Sequence, residues 1–214
     1  MPIADFFDGI PMSAALNMSA ADLELWHLLQ PDTVLAEAAR MIRRFDAEGD
    51  YPSAYIHADL RLDQYIVAGD SVMLSDFEEV RLGDPARDLG SLVGDVVFQA
   101  LITIPRRLGG ESLKVETNHE AILTAGSEAL DDVLPDVKQA VEGYRSIAGS
   151  LDQALVERAV CYAGWHMFDR MLASAEGTHR VDGILKAIAG IGRNLITAPG
   201  TFSGMFFPHM EEAA

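Results

Sequence analysis

Asp59 and Asp76 stand seventeen residues apart, in the runs His57-Ala58-Asp59-Leu60-Arg61-Leu62-Asp63-Gln64 and Ser75-Asp76-Phe77-Glu78. Two carboxylates presented by adjacent loops can divide the work of phosphoryl transfer. One accepts the proton of an attacking hydroxyl, and the other holds a Mg2+ that neutralises nucleotide phosphates. A side-chain amide five residues after the first carboxylate, Gln64, can add an oxygen to the metal. The competing assignment is a pair of turn-capping aspartates, since Asp is common in turns.

The elements that must position these groups follow from pattern. Ala54-Tyr55-Ile56, Gln64 to Ala68 and Val72 to Ser75 read as short strands, the last two joined across Gly69-Asp70, a tight hairpin signal. The first run therefore lies in the turn between two strands, and Asp76 at the end of the hairpin. Ser19 with Asp22 three residues on reads as a capping box opening a helix that Pro31 stops; Asp32 caps a second helix to about Ala47. Gly49-Asp50 ends it. Helix returns from Asp88 to Ile104 and stops at Pro105, then runs over about 117–147 with a break near Pro135, over 151–175, and over 181–196. Pro199, Gly200, Gly204 and Pro208 mark a loose tail, 199–214. The pattern is α+β: a small β-ribbon in a mostly helical body.

Composition narrows the class. The chain has 214 residues, 33 acidic against 16 basic side chains, and a net charge of −17. That length suits one domain, or one large lobe of a bigger enzyme. Such a charge argues against a protein whose main task is gripping nucleic-acid phosphates, where a basic stripe is expected. With apolar residues at 49% it can fill a core. One cysteine, Cys161, excludes an internal disulfide and fits a cytoplasmic setting. The start lacks a signal-peptide pattern, and the sequence shows no run of 18 apolar residues, so no membrane partner is expected.

The chemical segment resembles the catalytic core of the protein-kinase-like superfamily, close to the aminoglycoside phosphotransferase (APH) branch. The pattern H-R-D-L-K-P-E-N aligns without gaps to His57–Gln64. Glycine commonly replaces the arginine in that branch, and here the position is Ala58. Asp76-Phe77-Glu78 and Gly83-Asp84-Pro85-Ala86-Arg87-Asp88-Leu89 resemble its "DFE…GDPxxDL" run. With both halves in register, function outweighs turn capping for Asp59 and Asp76. The resemblance implies a catalytic base or hydroxyl-orienting role for Asp59 and a Mg2+ ligand in Asp76. It implies a cation for the transferring phosphoryl group in Arg61, a loop brace in His57, and in Asp88 a group that hydrogen-bonds the loop backbone. Gln64 departs from the usual Asn, and its extra methylene displaces the amide. ATP and Mg2+ are the implied cofactors.

A narrower similarity lies in Ser19–Asp32, His57–Val67 and Asp76–Gly90, which together resemble the kinase subunits of class V lanthipeptide synthetases, related to thioamitide-pathway phosphotransferases. The resemblance implies phosphorylation of Ser/Thr hydroxyls on a ribosomally made precursor peptide, before a separate effector-like lyase eliminates phosphate. It covers roughly residues 19–105. The alternatives are a small-molecule O-phosphotransferase acting on an antibiotic or sugar alcohol, and a non-catalytic scaffold that binds leader peptide or lyase.

The kinase-like pattern also needs an N-terminal lobe, with a phosphate-covering loop and a strand lysine. Of three lysines (Lys114, Lys138, Lys186) none precedes position 114, and no G-x-G-x-x-G occurs. The expectation is a single kinase-like C-lobe over 1–214, with its catalytic and metal-binding segment at 54–90, a helical subdomain at 91–198, and the N-lobe absent. A second polypeptide supplying that lobe is a candidate partner.

The remaining residues read as structural. Asp84 shapes a turn before Pro85, Asp88 caps a helix by its position, and Arg81 and Arg87 pair with nearby acids. Glu78 and Glu79 face solvent as readily as metal. Cys161, Trp165 and His166 share a helix and read as core, and His27, His119, His179 and His209 form no ligand pair. The Met- and Phe-rich ends (Phe6, Phe7, Met12; Met205, Phe206, Phe207) divide evenly between packing and a partner surface.

Overall fold

In the computed structural model, residues 9–47, 51–110, 119–176 and 178–207 are described, together with Phe7. The lysine at 114, His209 and Phe6 lie outside them, as does the side chain of His119. Ahead of the first strand come α1 (Met12–Ala15), α2 (Ala20–Leu29) and α3 (Thr33–Ala47). Both long helices start as the sequence directs. Ser19 and Asp22 form a reciprocal capping box, with Asp22 N–H on Ser19 Oγ at 3.0 Å and Ser19 N–H on Asp22 Oδ2 at 2.9 Å. Asp32 accepts from Leu35 N–H at 3.0 Å. It also pairs with Arg193, tying the start of α3 to a helix far along the chain.

Four short strands follow: β1 (Ala54–Ile56), β2 (Tyr65–Ala68), β3 (Ser71–Leu74) and β4 (Arg81–Gly83). They make two separate antiparallel pairs, β1 with β4 and β2 with β3. Register Ala68↔Ser71 leaves Gly69-Asp70 as the two-residue turn, with Gly69 at φ 59° as such turns require. The strand β4 is too short, and its one pairing too distant in sequence, to announce itself in the pattern.

The body is α4 (Ala86–Leu101), α5 (Ile104–Arg107), α6 (His119–Ala148), α7 (Gln153–Ala175), α8 (Gly183–Thr197) and α9 (Pro199–Phe206). At its centre α7 packs between α4 and α8, burying Val156, Val160, Met167, Phe168 and Met171. Glycines permit the close approach. A Cβ on Gly90 would sit 2.3 Å from the Ala159 carbonyl oxygen, and one on Gly94 2.5 Å from that of Ala163. The stretch Ala86–Arg107 is long and apolar enough to cross a membrane by length and composition, but two-thirds of its most apolar eighteen residues are buried inside this fold.

Three expectations are corrected. Pro135 does not break its helix: α6 continues through it. The proline is exposed, so the carbonyl it leaves unpaired can meet water, while Val137 and Val141 are buried and hold the helix down. Pro105 does not stop α4, which ends at Leu101; it lies in the first turn of α5, where its missing N–H costs nothing. The tail is not loose from 199. Pro199 follows the end of α8 and opens α9 at its first position, where proline is favoured, and the burial of Phe206 and Phe207 holds that helix against the body. Residues 208–214 lie outside the described set.

Candidate active site

The loop between β1 and β2 holds His57 to Gln64, and α4 grips it from below. Asp88, in the first turn of α4, accepts from His57 N–H at 2.6 Å and from Ala58 N–H at 2.9 Å. From the other side Arg87 Nε donates to the Ala58 carbonyl at 3.1 Å. Both peptide groups flanking Ala58 are therefore held. Ala58 takes φ 70°, in the left-handed region that costs an L-residue about 1 kcal/mol or more. Fixing that kink turns Asp59 outward, and its side chain is 44% exposed.

His57 joins the two chemical segments. Its Nε2–H donates to the Ser75 carbonyl at 2.8 Å, which fixes the tautomer, while Nδ1 is buried without a hydrogen-bond partner among the described residues. Phe77 stacks at a tilt on the imidazole, ring centroids 5.2 Å apart. The hairpin completes the join. Closing β2 on β3 sets Gln64 opposite Ser75, whose N–H donates to the Gln64 carbonyl at 2.9 Å. The next residue, Asp76, adopts φ 62°, a left-handed conformation that Asp tolerates better than most residues. That bend aims its carboxylate back at the buried Gln64, with Gln64 Nε2 to Asp76 Oδ2 at 3.1 Å.

This pair can be tested for fit to Mg2+. An amide is nearly indistinguishable when its oxygen and nitrogen exchange places, so the alternative flip sets Oε1 where Nε2 stands. Two oxygens that are neighbours on an octahedral Mg2+ with bonds of about 2.1 Å lie about 3 Å apart. The 3.1 Å separation meets that requirement. After the flip Nε2 faces Ser75 Oγ, now 3.3 Å from Oε1. Among the described residues no group of three or more His, Cys, Asp or Glu could hold a metal. A two-ligand set is nonetheless what Mg2+ takes when water and phosphate oxygens fill the remaining positions. Gln64 and Asp76 fit the ion.

Arg61 stands beside the base position. One guanidinium nitrogen lies 3.4 Å from Asp59 Oδ2 and Nε lies 3.3 Å from Asp63 Oδ1. Its charge is held at the loop, within reach of a group that approaches Asp59. Glu78 and Glu79 are exposed.

The chain belongs to the APH phosphotransferase enzyme family. Residues 11–120, just over half its length, match that family, and the match includes the loop, the hairpin and α4. No curated protein matches the chain. Members of this family generally use ATP and Mg2+.

Three acids of this APH-family chain were not singled out as site neighbours from sequence. Asp84 does more than shape a turn: it accepts Ala86 N–H at 3.1 Å and pairs in the core with Arg158 at 2.7 Å, whose guanidinium lies 3.7 Å over the Tyr51 ring. Asp95, buried on α4, accepts Leu62 N–H at 2.8 Å and lies 3.2 Å from His166 Nε2. Its signal was available: an acid within the apolar run Leu92–Phe98, seven residues after Asp88 and so on the same face. Asp169, on α7, faces a cavity of about 970 Å³ between the N-terminal segment and the end of α7. Asn17, Asp22, Glu176 and His179 also line it. By accessible surface Asp169 is exposed, opening on the cavity, although many protein atoms surround its carboxyl. That desolvation, with the Asp59 carboxylate nearby adding to it, pushes its pKa up to about 6. Cys161 is buried and its thiol is pushed up to about 12 by desolvation, so it is no nucleophile.

Proposed function

We propose that this phosphotransferase moves the γ-phosphoryl group of ATP onto a hydroxyl oxygen, and that the hydroxyl belongs to Ser or Thr of a ribosomally made precursor peptide. The joining of the Asp59 loop to the Gln64–Asp76 pair through His57 and Ser75 is the observation that carries the phosphoryl-transfer reading. Asp59 accepts the hydroxyl proton as the oxygen bonds to the γ-phosphorus; the bond from that phosphorus to the β,γ-bridging oxygen breaks and ADP leaves. Gln64 and Asp76 hold Mg2+, which supplies charge neutralisation at the phosphates. Arg61, freed from Asp63, meets the transferring group. The peptide acceptor rests on the resemblance of the three segments to lanthipeptide synthetase kinases.

The hairpin leaves Ile66, Val67, Val72 and Met73 exposed beside the site. Apolar strand faces of this kind suit a covering lobe, supplied by another polypeptide, that clamps the nucleotide. The acidic wall of the cavity favours a second reading, a cationic small alcohol as acceptor. A transfer assay with labelled ATP separates these. Peptide phosphorylation, alone or on adding the partner, supports the first; phosphorylation of amino alcohols only supports the second. Asp59→Asn is expected to lower the rate by about 10²–10⁴-fold without loss of folding. Peptide binding with no transfer, indifferent to Asp59→Asn and Asp76→Asn, would leave a scaffold.

A further inference from the structure

The loop is held at two points by one helix. Asp88 takes the backbone next to Asp59, and Asp95, two turns on, takes the Leu62 N–H at 2.8 Å. Leu62 opens the 3-10 turn Leu62–Gln64, and Gln64 closes it. A shift of the Leu62 peptide therefore displaces the Gln64 amide against Asp76. Asp95 is itself held: Oδ1 lies 3.2 Å from His166 Nε2 and 3.7 Å from Arg170 Nε, both on α7. With 2% exposure, it has no water to exchange for these partners. A buried carboxylate fixed by two groups of another helix is a stiff mount for the one backbone donor it serves.

We infer that Asp95 is a positioning residue for the metal-binding end of the loop, dividing the labour with Asp88, which serves the Asp59 end. This rests on the reading of Gln64 and Asp76 as ligands. Residues that act on a metal through its ligands typically change its affinity about 10–100-fold when altered.

The test uses Mn2+ alone as probe, titrated into the labelled full chain while paramagnetic broadening of the Gln64 and Asp76 NMR signals is followed. Asp95→Asn is expected to raise the Mn2+ needed for half-broadening by about tenfold or more, and to speed hydrogen exchange at the Leu62 amide. Asp88→Asn should leave the Leu62 amide protected. Leu62→Pro provides the second route, free of any change in the core. It deletes only the donor and part of a half-exposed side chain. Arg61 already has φ −134° and ψ 161°, as a residue before proline prefers, and Leu62 is the first residue of its turn. The inference requires the same Mn2+ shift in Leu62→Pro, with no further shift in the double variant. An unshifted midpoint in Leu62→Pro, or shifts that add, overturns it. If the wild type shows no broadening at Gln64 and Asp76, the ligand assignment fails instead. The anchor is then judged by Leu62 exchange in Asp95→Asn, where unchanged protection overturns it.

Discussion

Ala58 holds a conformation that its side chain resists. Its φ of 70° is imposed by three hydrogen bonds, from Asp88 on two amides and Arg87 on the carbonyl. Relief of left-handed strain, about 1–2 kcal/mol, opposes the about 0.4–1 kcal/mol entropy cost of a new glycine. Ala58→Gly should therefore be neutral or stabilising by up to about 1.5 kcal/mol in urea denaturation, where Ala→Gly inside a helix costs about 1. Ala58→Val, β-branched at the same φ, should lose stability and rate together. The same residue shows what the sequence could say. The match of His57–Gln64 to a catalytic loop was legible from residue types alone. That Ala58 is bent was not, because the bend comes from groups about thirty residues away.

At the scale of elements, α4 is the platform. It carries Asp88 and Asp95 to the loop on one side and meets α7 through Gly90 and Gly94 on the other. Gly90→Ala would drive a methyl into the Ala159 carbonyl at 2.3 Å, with Tyr162 Cβ at 2.6 Å. Backbone cannot yield as a flexible side chain does, so the helices must separate. Overpacking of this kind costs about 1–3 kcal/mol, and the lowered melting temperature should come with reduced phosphoryl transfer, since the platform moves. The helices were readable from capping residues and apolar spacing, Ser19 and Asp32 above all. Their interruptions were not. Pro135 is a breaker by local rule and is overruled by the burial of Val137 and Val141, whereas Pro199 does follow the end of α8 and opens a further helix, α9, that buried Phe206 and Phe207 hold down.

Over the whole molecule, the net charge of −17 makes every unpaired carboxylate a source of repulsion. At Asp169 desolvation comes first and the Asp59 charge only adds to it, and the carboxyl is raised to about 6. Below its ordinary value of 3.8 the group is protonated whether the chain is folded or not. Between about 4 and 6 the unfolded chain ionises first, so the native state loses relative stability as pH rises through that window. Asp169→Asn should accordingly raise the melting temperature more at about pH 7.5 than at about pH 4.5. Equal gains at both would contradict the raised pKa. The Arg158–Asp84 pair sets a counterexample, an acid whose charge is matched inside the core.

By itself, the sequence determined the chemistry on offer: two carboxylates and an amide at spacings that suit phosphoryl transfer, on a hairpin within helices. Those properties are local, encoded in residue type, short spacing and turn signals. Tertiary structure decided how the groups are held. His57 reaching Ser75, Asp95 reaching Leu62 from a helix thirty-three residues on, and Asp84 meeting Arg158 are contacts between segments distant along the chain. Such contacts depend on how closely helices approach, which follows from glycines and buried volumes that no local pattern reveals.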